Sequence, residues 1–422
     1  MTRIRTAATL WLLIAGAAAM PAADARTDAA NAAAIAQHRM GTLTIKTAPG
    51  AKVSVEQIRQ EFWFGATLPS GIFTGRATSR DIAKFKEVFT SHFNAAVIEA
   101  AFKWHEMEPE PGKVNYATVD SMLAWASQEG IPVRGHCIFW GIPNRVQSWL
   151  KDLGDPGLRL AIQQRARGIG ARYRDQFAEY DLNNEMIHAN YYEQRLGPEF
   201  IKQMALWVKD GDPNARLFVN DYDILTGNRL GDYVKHIRRL LDMGVPIAGI
   251  GVQGHLHGDS FDPVALQNAL DELAQFKLPI RVTEYNFPGQ RSKFYTGDRQ
   301  AQMTPEEELA KADALQQYFR ICFAHPAVTG IMMWGFWEGA NWIPQSSLYK
   351  RDWTPTPAAD AYRDLVRNQW WTHWTGTADA SGRAEVRVFY GKHRVTVNGH
   401  AVEVYLSSAE RAKAVDLGNG IL

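Results

Sequence analysis

Between residues 58 and 368, short apolar runs of strand length alternate with amphipathic stretches of helix length. Such an alternation confines the chain to folds in which helices cover a mostly parallel sheet. The runs fall at 62–65, 94–100, 133–140, 179–184, 217–221, 250–255, 280–285 and 330–335, eight in all. Helical patterns fill the gaps at 119–128, 158–172, 229–241, 263–276 and 305–324. Most runs are continuous rather than alternating, as parallel strands buried on both faces are. Eight strand–helix units predict a (β/α)8 TIM barrel, an α/β fold. A doubly wound open sheet is the alternative, but no Gly-rich phosphate loop follows the first strand.

The pattern changes at about residue 369. Trp370-Trp371-Thr372-His373-Trp374 opens a stretch with no helical period, and residues 386–390 and 394–397 alternate. Gly391-Lys392 and Asn398-Gly399 supply turns before a further run at 401–406. Residues 369–422 are therefore expected to form a small antiparallel β appendage, stacked on the barrel or binding sugar. Leu43-Thr44-Ile45 and Val53-Ser54-Val55 also read as strands. This segment, 41–57, is grouped with a barrel unit spanning 38–368, although it could pair with the appendage.

The chain's start reads as an address. Arg3 and Arg5 precede an apolar run over 7–20, and Ala23-Asp24-Ala25 offers a small-x-small cleavage site. Residues 1–25 are expected to be a signal peptide, and the mature chain to be secreted or periplasmic, monomeric and free of the membrane. Lys and Arg number 46 against 45 Asp and Glu. That balance argues against a nucleic-acid partner, which would need excess positive charge. Only Cys137 and Cys322 are present, both in apolar runs. Two buried free thiols are expected, and they cannot supply a zinc cluster.

In barrels of this kind the chemistry sits at the C-terminal strand ends. The second strand leads to Lys103-Trp104, the third carries Gly135-His136 and ends at Trp140, and the fourth ends in Asn183-Asn184-Glu185. Asn220-Asp221-Tyr222, Gln253-Gly254-His255, Thr283-Glu284 and Trp334-Gly335 close the next four. Glu185 and Glu284 stand directly behind apolar strands. Paired carboxylates suit glycoside hydrolysis: one donates a proton to the leaving oxygen, the other attacks the anomeric carbon or activates water. The 14 Trp, 14 Tyr and 19 Phe include Trp104, Trp140, Trp334, Trp337 and Trp342 near strand ends, where rings can stack on sugars. Two other readings stay open here. A sugar-binding protein would keep the tryptophans, and a metal-dependent hydrolase could use His255-Leu256-His257.

Phe102-Lys103-Trp104, Gly135-His136, Asn184-Glu185, Asn220-Asp221-Tyr222, Gly251-Val252-Gln253-Gly254-His255, Thr283-Glu284 and Trp334-Gly335 with Trp342 resemble glycoside hydrolase family 10, the endo-β-1,4-xylanases. The resemblance runs in order from about 58 to 368. It implies a retaining mechanism acting on a polysaccharide or oligosaccharide, with no metal or cofactor. Glu185 would be the acid/base, Glu284 the nucleophile, Asn184 the amide on the sugar 2-hydroxyl, and His255 the histidine beside the nucleophile. Glu99, Lys103, Trp104, His136, Trp140, Tyr222, Gln253, Trp334 and Trp342 would bind substrate. Four positions depart from the family pattern: Ala100 stands for an asparagine, Gly141 for a histidine, Asn286 for an aspartate facing His255, and Glu338 for an aspartate. Because Ala100 and Gly141 shrink together, a decorated xylan or another β-glycan is a possible substrate.

Overall fold

The computed structural model describes residues 23–258 and 261–418. Of the proposed leader, residues 1–22 lie outside this range. Residues 23–25 belong to a helix, Ala23–His38, that the sequence reading does not contain. Sixteen strands follow in chain order among the described residues: β1 Met40–Lys46, β2 Lys52–Gln60, β3 Trp63–Leu68, β4 Ala95–Ile98, β5 Val133–Gly135, β6 Phe139–Trp140, β7 Glu179–Asn184, β8 Leu217–Asp221, β9 Ile247–Val252, β10 Ile280–Tyr285, β11 Val328–Met333, β12 His373–Thr377, β13 Arg383–Phe389, β14 Gly391–Val397, β15 His400–Leu406 and β16 Ala412–Asp416.

Strands β3 to β11 pair in parallel, and β11 returns to β3, so the sheet closes into a barrel. The third stave is two pieces: β5 and β6 both pair with β7, on either side of His136-Cys137. The run at 133–140 is thus one stave with a break in its ladder. The stave read at 250–255 begins and ends earlier. Gly254 turns the chain out of it with a left-handed backbone (φ 76°), which a side chain would resist because its Cβ would lie 2.6 Å from Val282 Cγ1.

Part of the barrel interior is charged rather than branched-apolar. Arg134 from β5 bonds Glu179 and Asp181 of β7, and Arg281 from β10 holds Glu179 through Nε and Nη2, each at 3.1 Å. All four are buried. Burial alone would raise the Glu179 carboxyl, but Arg281 and Arg134 outweigh it and hold its pKa below the usual value. Breaking such a pair strands a buried charge and costs about 3–5 kcal/mol. Glu179→Ala is therefore expected to lower stability by about that much in denaturant unfolding. A loss under about 1 kcal/mol would show that the network is not load-sharing.

Segment 41–57 does not belong with the barrel. β1 pairs with β13 and β16, while β2 pairs with β12 and β14. Two small sheets result, enclosing their own core of Leu43, Ile45, Val53, Val55, Val386, Val388, Val395 and Leu406. The appendage is therefore built from both ends of the chain. It sits at the barrel's N-terminal end, where Arg59 of β2 donates to the carbonyl of Asn94, just before β4. Trp370 stacks on Phe64 (centroids 5.9 Å apart) and packs against Phe323. That tryptophan fastens barrel to appendage. No helix among the described residues is long and apolar enough to cross a membrane.

Candidate active site

At the opposite, C-terminal mouth, the strand ends bring together two glutamates, Glu284 buried and Glu185 half-buried. Glu185 follows β7 directly, with a left-handed backbone (φ 61°), a strained conformation for a residue with a Cβ. Its amide donates to the Asn220 carbonyl at 2.9 Å. Its carboxyl accepts from Trp140 Nε1 at 2.8 Å and from Gln253 Nε2 at 2.9 Å. Burial dominates its ionisation and raises its pKa, aided by Glu284 and Asp221 against the bonds from Gln253 and Trp140. Glu185 is thus held towards the protonated acid.

Glu284, inside β10, is driven the other way. Asn220 Nδ2 donates to its Oε1 at 2.9 Å, and His255 Nε2 lies 3.3 Å from its Oε2. His136 Nδ1 lies 3.8 Å from Oε1. Burial is the largest single influence and acts upwards. His136, His255 and Lys103 together overcome it and bring the pKa down to about 2. Two carboxyls with pKa values pushed apart can divide the labour of acid and nucleophile.

Asn220 is the hinge of this arrangement and was not singled out by sequence as a site residue. Thr283 Oγ1 donates to its Oδ1 at 2.7 Å, and its Nδ2 reaches both Glu284 and Asn184 Oδ1, the latter at 3.0 Å. Asp181 was also missed; it binds His136 Nδ1 at 2.8 Å and so couples the charged interior to the site. The period-two spacing of Glu179, Asp181 and Asn183 on one strand was the available signal. Asp221 accepts from the Ile187 amide and pairs with His188, on which Tyr222 stacks at 3.6 Å between centroids.

Around the carboxylates, Lys103 Nζ sits 5.0 Å from the Trp140 ring centroid and 5.5 Å from that of Trp334. His136 meets Trp334 edge-on, and Trp342 packs against His255. Burial pushes the Glu99 carboxyl up, with Lys103 opposing and Glu284 reinforcing. Glu99, Lys103, His136, Trp140, Tyr222, Gln253, Trp334 and Trp342 are thereby linked to the Glu185–Glu284 pair by contact or by charge. Trp104 is not. It opens a short helix, Trp104–Met107, which turns its ring onto Phe139 and Trp149, and its Nε1 donates to Glu108 at 2.7 Å. It is a buried core residue.

Of the departures, Gly141 does not open space: a Cβ there would lie 3.0 Å from Asn190 Oδ1. Glu338 accepts from the Arg351 amide at 3.0 Å and serves its own loop. Asn286 faces His255 Nδ1 at 2.7 Å. His257 turns away from His255 to Asp223. Among the described residues, no group of three or more His, Cys, Asp or Glu could hold a metal ion. Cys137 and Cys322 are free and buried. A cavity of about 1000 Å³ opens at the barrel's other end, lined by Arg59, Trp63, Asp120, Arg172 and Tyr405. It contains neither carboxylate of the pair.

Residues 56–365 match the model of Glycosyl hydrolase family 10. Endo-1,4-beta-xylanase 1 of Arabidopsis thaliana is 35% identical over 352 residues, covering 82% of this chain and 34% of its own. Anti-sigma-I factor RsgI6 of Acetivibrio thermocellus is 36% identical over 316 residues, covering 75% of this chain and 39% of its own. The chain thus spans well under half the length of either relative. Native xylanase 10B from Thermotoga maritima superposes with a TM-score of 0.65 at 22% identity, over 73% of this chain and 96% of that one. With the family model spanning the barrel and both carboxylates inside the matched range, the chain belongs to glycosyl hydrolase family 10.

Proposed function

We propose that this chain is an endo-1,4-β-xylanase that cleaves xylan by double displacement with retention of configuration. The observation that carries the proposal is the setting of two glutamates at the barrel mouth: half-buried Glu185 accepts from Trp140 and Gln253 and is raised, while buried Glu284 is held by Asn220 and His255 and lowered to about 2. Glu284 attacks the anomeric carbon while Glu185 protonates the departing oxygen. Glu185 then deprotonates the water that releases the sugar. Asn184, bonded by Asn220, takes the sugar 2-hydroxyl by likeness to the family. Lys103 between Trp140 and Trp334 forms the glycone wall, with Trp342 beside it, and Tyr222 on His188 forms the other side. The site is complete within one chain, which supports action as a monomer. The basic, apolar and small-residue order of 1–25 supports export.

Incubation with β-1,4-xylan tests the proposal. Shorter oligosaccharides are expected, with the β-anomer formed first by NMR; an α-anomer or no cleavage overturns it. The aromatic rings around the cleft, Trp140, Trp334 and Trp342, favour, as a second reading, a domain that binds glycan without cutting it. That reading leaves the divided ionisation without a purpose, and the same incubation separates the two.

The glycone pocket carries a further expectation. Ala100 is half-buried, and by likeness to the family an amide there would bond a hydroxyl of the second sugar. Since Asn190 already fills the place beside Gly141, the pocket is not widened there for a decorated sugar. Ala100→Asn is expected to raise kcat/KM on unsubstituted xylo-oligosaccharides about two- to tenfold, the worth of one hydrogen bond. A fall on plain substrate would point to a pocket shaped for another sugar.

A further inference from the structure

The partner of His255 is an amide, and that changes what the histidine can do. Nδ1 of the ring faces Asn286 Oδ1 at 2.7 Å, and Nε2 faces Glu284 Oε2 at 3.3 Å. All three side chains are buried. Water is thus not at hand to repair a mismatched contact. With Asn286 oxygen-first, Nδ1 must carry a proton. A neutral ring would then set the bare Nε2 lone pair against the Glu284 carboxylate. Only an imidazolium satisfies both neighbours in that orientation.

An amide has a second orientation. Turned by half a revolution it donates N–H to Nδ1, and the ring's single proton moves to Nε2, where it bonds Glu284. The turn exchanges the Oδ1 bond for one from Nδ2 and gives up no other, because Asn286 Nδ2 is buried without a hydrogen-bond partner. A carboxylate at this position could not do this, since it only accepts.

Taking Glu284 as the nucleophile, we propose that Asn286 is a positioning residue that keeps His255 donating to Glu284 whether the ring is charged or neutral. An aspartate would hold the proton at Nδ1. Loss of the imidazolium charge would then take away the Glu284 donor. The other charged and titratable groups facing Glu284 are His136, Lys103, Glu99 and Glu185. None of them is altered by exchanging Asn286.

Two measurements test the proposal on the full chain. In the first, kcat/KM is followed against pH with a dinitrophenyl β-xylobioside, whose leaving group needs no acid, so Glu185 drops out of the profile. Wild type is expected to stay flat to alkaline pH, whereas Asn286→Asp should acquire an alkaline fall of about tenfold or more. Parallel profiles, including a uniform loss at every pH, would overturn the proposal and leave Asn286 a packing residue. The second measurement does not depend on turnover. In 15N-histidine spectra, with the His255 signals identified by their loss in His255→Gln, neutral wild type should carry its proton on Nε2 and neutral Asn286→Asp on Nδ1. A neutral wild-type ring protonated at Nδ1 overturns the proposal even if Glu284 is the nucleophile. If Glu284 is not the nucleophile, the pH profiles lose their meaning while the tautomer readout stands.

Discussion

Glu284→Ala is expected to lower turnover of xylo-oligosaccharides by about 10⁴-fold or more, the scale on which covalent catalysis fails when its nucleophile is removed. The carboxylate does two things here. On the proposed mechanism it supplies the atom that bonds to the anomeric carbon, and its charge stabilises the positive character that develops there. Nothing adjoining can stand in. Glu185 is held towards the protonated form, and Glu99 is also raised by burial. His136, Lys103, His255 and Asn220 remain arranged around an anion that is no longer there. Azide added to this variant should attack from the face that Glu284 vacated and give an α-glycosyl azide, a single inversion. Circular dichroism would confirm that the variant is folded. A folded variant within tenfold of wild type would remove Glu284 from the mechanism.

Where the sequence and structure agree, the elements are marked by strong local signals. Glu179–Asn184, Leu217–Asp221 and Ile280–Tyr285 match strand readings residue for residue, and Pro305–Ala324 matches as a helix. Each strand is a short run closed by polar residues, and the helix begins with Pro at N1 behind a Thr304–Glu307 capping box. The break in the third stave was not read, because residues 133–140 contain no Pro and no turn pair where the pairing shifts at His136-Cys137. Two strands went unread, His373–Thr377 and Ala412–Asp416. Both are sheet edges with exposed or half-buried side chains, so hydrophobic alternation is weak in them. The helix Ala23–His38 was hidden by its alanines, which carry no 3.6 period, and by its overlap with the expected leader.

The site was legible for the same reason that the strands were: a residue just past a buried strand has few places to go. Glu185 and Glu284 were found from that position alone. Trp104 fails the rule because it opens the helical turn Trp104–Met107, which carries its ring away from the cleft that Lys103 still lines, and a ring large enough to stack on sugar is also large enough to fill core. Asn220 carries no site role in the sequence reading beyond its strand-end motif, and Asp181 is absent from it, because their importance lies in what they bond, across strands distant in sequence, and one sequence does not display such pairings.

Glu185→Ala separates the steps that Glu284→Ala cannot. On xylo-oligosaccharides, whose leaving alkoxide needs a proton, the loss should be about 10²–10⁴-fold. On a dinitrophenyl glycoside the first step should be nearly unchanged, and breakdown of the glycosyl-enzyme should become limiting, since the base is gone. Azide needs no base; it should restore turnover and yield a β-glycosyl azide, the configuration opposite to that from Glu284→Ala. The pH profile carries the same assignment with a definite sign. A carboxyl whose pKa is raised stays protonated further into the neutral range, so wild-type kcat/KM on oligosaccharides should fall as pH rises through it. Glu284, at about 2, is ionised throughout and contributes no limb above that. Removing Glu185 should therefore erase the alkaline limb while leaving the acid side in place. An alkaline limb that survives the substitution would mean that another group protonates the leaving oxygen, and Glu185 would lose that role.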